Sequence, residues 1–92
     1  MDRKLDTLIA VEVMGLTREQ ANLGRLRHYS SDIAEAWKVL DKFQEAKLHV
    51  LAPDKYYCQL AGQGVSYWCI TDSMPKSICR TALRMKGVEY DD

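Results

Sequence analysis

The sequence predicts a small α+β domain in which one three-stranded antiparallel sheet, a meander, packs against helices. Three observations predict it. Apolar residues recur at three- and four-residue steps near both ends of the chain, the period drops to two between Leu48 and Ile70, and cap or turn residues bound each run. The expected order is helix, helix, three strands, helix. At 92 residues the chain has room for one core, so residues 1–92 are read as a single domain. A domain this small leaves apolar surface that a second copy can cover, which makes a homo-oligomer the expected assembly.

The first helix is expected over Asp2 to Met14, where Leu5, Leu8, Ile9 and Val13 share a face and Gly15 stops the run. Between Leu16 and Tyr29 the chain is mostly a connection, with Thr17 and Gln20 spaced to cap one short turn. The second helix carries the clearest signal. Asp32 can accept from free amides at its start, Glu35 stands three places on, and Ile33, Ala36, Trp37, Leu40 and Phe43 recur on one side. Burial is the expected role of Trp37.

After Ala46 the alternation Leu48, Val50, then Tyr56, Cys58, Leu60 reads as two strands joined at Ala52-Pro53-Asp54-Lys55, a type I turn composition. Gly62-Gln63-Gly64 leads into a third strand over Val65 to Ile70. Ser73 then caps a third helix with Pro75 in its first turn. That helix carries Ile78, Cys79, Ala82, Leu83 and Met85, and ends at basic Arg84 and Lys86 before Gly87.

Composition excludes several function classes. Thirteen basic residues balance thirteen acidic ones, so the uniform positive field of a non-specific nucleic-acid binder is missing. No apolar run is long enough to span a membrane. Cys58, Cys69 and Cys79 form an odd set without CxxC spacing, and no secretory signal is read ahead of them, which fits free, packed thiols in a reducing cytoplasm. His28 and His49 belong to no metal or nucleophile motif. Gly62-Gln63-Gly64 lacks the third glycine and following helix of a dinucleotide loop, and reads as a turn. No catalytic residue, metal site or cofactor is expected.

Three segments read together carry a resemblance: Asp6 to Gly15 (DTLIAVEVMG), Tyr29 to Trp37 (YSSDIAEAW) and Ser73 to Leu83 (SMPKSICRTAL). They resemble the phage ABA sandwich domain family, in which a first helix ends in a Val-Met-Gly-like step. A Tyr-Ser-x-Asp-Ile-Ala-x-Ala-Trp helix and a closing Pro-x-x-Ile-Cys-x-x-Ala-Leu helix then flank the strands. The resemblance covers nearly the whole chain. It departs from that pattern where Leu16, not an aromatic, follows the Met-Gly step. What the resemblance implies is a non-enzymatic phage or prophage accessory protein in the host bacterial cytoplasm. Such a protein would bind a host molecule, and some small phage proteins of this general kind sequester nucleotide-like defence signals between subunits. Fold analogy alone does not assign a ligand.

Two residue groups are the expected binding sites. Arg25, Arg27, His28 and Tyr29 stand before the second helix, where guanidinium groups and free amides suit a phosphate and a tyrosine can stack or donate. The plainer reading of this group is a solvated loop whose charges balance Asp32 and Glu35. Trp68, with Tyr67 beside it, and Lys76 and Arg80 combine strand aromatics with helix cations; burial in the core is the expected role of one of Tyr67 and Trp68, since alternate strand residues face opposite sides. The expected partner is therefore a small anionic or nucleotide-like ligand, with a host protein as the alternative and nucleic acid the least favoured.

Overall fold

The computed structural model of the chain describes residues 3–22 and 28–88. The first helix begins as α1 (Arg3–Leu8) and widens into a π-helical turn over Ile9–Val13. Met14 N–H reaches back five residues to the Ile9 carbonyl, and the closing bond from Leu16 N–H to the Ala10 carbonyl spans six positions. Gly15 supplies the left-handed conformation at the end, with φ +81°. The cap expected at Thr17 forms reciprocally: Thr17 N–H donates to Gln20 Oε1 and Gln20 N–H to Thr17 Oγ1, both at 3.0 Å, opening α2 (Arg18–Asn22).

Helix α3 (Ile33–Leu40) starts where Asp32 accepts from the Ala34 amide at 2.9 Å. It is shorter than the apolar periodicity suggests, and its buried face differs. Ala36 and Val39 are buried with Leu40 and Phe43 packed beside them, whereas Ile33 is exposed and Trp37 is 54% exposed. Trp37 is thus corrected from core to surface. Helix α3 carries two overlapping apolar stripes, and the one with small Ala36 allows the closer approach to its neighbour.

The sheet is the predicted meander, in order β1 (Glu45–Ala52), β2 (Lys55–Gly62), β3 (Val65–Thr71), with every pair antiparallel. Pro53-Asp54 joins the first pair. Gln63-Gly64 joins the second with positive φ at both residues, 52° and 82°, the two-residue turn whose twist suits a hairpin.

Helix α4 (Met74–Met85) organises the core: it lies on β2 and β3, and α3 and the first helix pack on α4 in turn. Ser73 caps its start, accepting from the Lys76 amide, and Val88 N–H donates to the Leu83 carbonyl past left-handed Gly87 at its end. Ile78, Cys79, Ala82 and Leu83 meet Cys58 and Leu60 beneath, and Leu5, Ile9 and Val39 complete the cluster. Small polar residues let helix and strand approach. Ser77 Oγ donates to the Tyr56 carbonyl at 2.7 Å, and Thr81 Oγ1 lies 3.2 Å from the Cys58 carbonyl. Among the described residues no helix is long and apolar enough to cross a membrane.

Candidate functional site

The basic cluster before α3 divides into parts with different fates. Arg25 and Arg27 lie outside the described residues. His28 is exposed, its Nδ1 4.0 Å from Asp6 Oδ2, and Tyr29 is only 3% exposed, inside the core cluster. Tyr29 is therefore corrected from a stacking residue to an anchor. Its aromatic surface is worth more against Ile9 and its neighbours than in water. The anchor is reinforced at Ser30, whose amide donates to Asp6 Oδ1 at 2.7 Å; Asp6 itself is fully buried.

The second group does not converge on one point. Strand register places Tyr67 and buried Cys69 on the side covered by α4, so Trp68 faces the other way; Tyr67, 42% exposed beyond the edge of the helix, is corrected with Trp68 from core to surface. Lys76 and Arg80 belong to α4, both half-buried, and the Lys76 ammonium sits 3.7 Å from Asp72. The sheet stands between them and Trp68.

What Trp68 joins instead is an aromatic platform on the face that bears no helix among the described residues. Across the strands His49 stands opposite Tyr57 and Tyr57 opposite Ile70, while Lys47, Gln59 and Trp68 form the adjacent row. The Tyr57 and Trp68 rings lie 6.1 Å apart between centroids at 27°, and His49 tilts onto Tyr57 at 5.7 Å and 50°. Gln59 fixes the centre: Tyr57 hydroxyl donates to its Oε1 and its Nε2 donates to Ser66 Oγ, each at 2.8 Å. Trp68 is 55% exposed and Ile70 is exposed beside it. This surface can take a planar ring or an apolar partner surface. Sequence reasoning missed His49, Tyr57 and Gln59. Counting registers outward from the two tight turns places Gln59 opposite Trp68, Tyr57 next to Gln59 in the same row of β2 and His49 opposite Tyr57, and that was the available signal.

The cysteines are packing residues. All are free and buried. Burial pushes the Cys58 thiol up from 9.0 to about 11; a hydrogen bond with Thr81 opposes this and the Cys69 thiol across the strands adds to it. A thiol in that state is a poor nucleophile. Among the described residues no three His, Cys, Asp or Glu side chains gather to hold a metal ion.

Comparison with known proteins places this geometry. No curated protein matches the chain. A phage protein from Bacillus cereus ATCC 14579, known from its crystal structure, is 25% identical. The match covers 99% of this chain and 93% of that one, with a TM-score of 0.82. The model of the phage ABA sandwich domain matches residues 7–83, which include the first helix from Thr7 onward, all three strands and nearly all of α4. The chain belongs to the phage ABA sandwich domain family.

Proposed function

We propose that this phage protein is a non-enzymatic accessory protein that binds a host molecule on the helix-free face of its sheet, in the cytoplasm of the host bacterium. One observation carries the reading: exposed His49, half-buried Tyr57 and exposed Trp68 form a contiguous set of rings whose central member, Tyr57, is held by a hydrogen bond to Gln59. An isolated exposed aromatic is ordinary; a braced set of three supports recognition. The favoured ligand is nucleotide-like, its base stacking on Trp68 or Tyr57 and its phosphate near Lys47, the cation in the same row.

Calorimetric titration of the intact protein with a panel of cyclic nucleotides tests this. Saturable heat with at least one of them, weakened roughly tenfold or more by Trp68→Ala, is expected; stacking is worth about 1–3 kcal/mol per base. Absence of heat with every nucleotide rejects the nucleotide reading.

A host protein is the second reading, favoured by one further observation. Trp68 and Ile70 are exposed on β3, an edge strand, and give this face an apolar margin beside the rings. Capture of one host protein, lost with Trp68→Ala and unaffected by nucleotide, would support it.

A further inference from the structure

On the helix-covered side of the sheet, a cavity of about 250 Å³ opens where β2 reaches the Gln63-Gly64 turn. Its origin is a missing side chain. Tyr56, Cys58, Leu60 and Gly62 form the row of β2 that faces α4; Leu60 fills the space beneath the helix, and Gly62 leaves the next position empty. Phe43, Val65 and Met85 supply apolar walls, Gln44 and Gln63 bring carboxamides, and Lys42 and Lys86 bring ammonium groups to the same lining.

We propose that this cavity is a second binding site, for a compact organic anion with a planar apolar body. The charge of the lining selects the sign. No acidic side chain contributes to it, and neither Lys42 nor Lys86 has an ion-pair partner among the described residues. Glu45 lines only the adjoining, shallower groove of about 310 Å³. Two ammonium groups in one lining favour an anion there over a cation. The walls select the body, since Phe43 and Met85 offer a ring face and a polarisable thioether to a flat ligand.

The carboxamides serve the ligand's polar edge, each offering both a donor and an acceptor. Gln63 does so from a left-handed backbone, φ 52°, where glycine or asparagine is the ordinary choice. The volume lies just under the usual range of about 300–1,000 Å³ for ligand pockets, which restricts the body to about one ring system. The site is separate from the aromatic platform, because the sheet lies between them.

Gly62 also provides the test. Its backbone is not left-handed, and a Cβ there meets Gln44 and Met85 only at 3.8–3.9 Å, ordinary contact, so a longer side chain fills the cavity without backbone strain. The probe is phenyl phosphate, followed by amide chemical shifts of the full chain, with benzyl alcohol as the uncharged ring and inorganic phosphate as the anion alone. Phenyl phosphate is expected to shift Gln44, Gly62, Gln63, Val65 and Met85 saturably and to bind at least about tenfold more tightly than either control. Gly62→Leu is expected to abolish the effect, the double variant Lys42→Gln/Lys86→Gln to weaken it by roughly tenfold, and Trp68→Ala to leave it unchanged.

The proposal is overturned if phenyl phosphate shifts none of these amides, if either control binds as tightly, or if both the Gly62 and the lysine variants bind as the parent does. Should Gly62→Leu fail to fold, the lysine pair decides alone, because both side chains are exposed.

Discussion

Asp6 shows how one side chain can set the entry to α3. Its carboxylate is fully buried, and it exists there because Ser30 N–H, 24 residues on, needs an acceptor away from water. Asp6→Ala leaves that amide unpaired at a cost of about 1–3 kcal/mol. Thermal denaturation should report a fall of several degrees, since about 1 kcal/mol moves the midpoint of a domain this size by roughly 4–8 °C; an unchanged midpoint would remove Asp6 from the framework. Cys58 makes a pH prediction at the same scale. Its folded pKa, about 11, lies above the ordinary 9.0. Below pH 9 the thiol is neutral in both states and its contribution is intact. Between pH 9 and 11 the unfolded chain ionises first, so stability is lost as pH rises, by on the order of 2–3 kcal/mol from this group. The alkaline loss should therefore be smaller in Cys58→Ala than in the parent, measured by denaturant unfolding across that window. Equal losses would contradict the burial argument.

Among the elements, the most legible were those with a chemical signature at their ends. Asp32, Ser73 with Pro75, the Thr17–Gln20 pair, Pro53-Asp54 and Gly87 each mark a boundary that the structure places at or next to the expected residue. Faces were less legible than ends. Trp37 was assigned to the core because Ile33, Trp37 and Leu40 satisfy helical spacing, but Ala36, Val39 and Leu40 satisfy it too, and only the tertiary contact with α4 decides between the stripes. Tyr29 failed similarly, since nothing in its basic neighbourhood announces that Asp6 pins the chain inward beside it. Of the open-face site only Trp68 was named, with His49, Tyr57 and Gln59 left out, because cross-strand neighbours emerge only once the register is counted. The second hairpin turn holds its own prediction. Gln63 adopts φ 52° at a cost that Gly avoids, so Gln63→Gly should raise stability by up to about 1 kcal/mol in denaturant unfolding. A decrease would mean that the Gln63 side chain makes contacts that outweigh the strain.

At the level of the whole molecule, α4 divides the labour. It draws the first helix, α3 and one face of β2 and β3 into a single core, which leaves the opposite face of the sheet without cover among the described residues. A domain of this size could have filled that face with polar residues, as one-sided antiparallel sheets commonly do. Here it carries His49, Tyr57, Trp68 and Ile70 instead. In the function proposed above, this face is where the host molecule binds. The most direct measurement is amide chemical-shift mapping of the full chain titrated with the cyclic nucleotide that gives heat in calorimetry. Shifts concentrated at His49, Tyr57, Gln59, Trp68 and Ile70, and absent in Trp68→Ala, are the predicted result. Shifts confined to the helix-covered side, with the five positions unmoved, would contradict it.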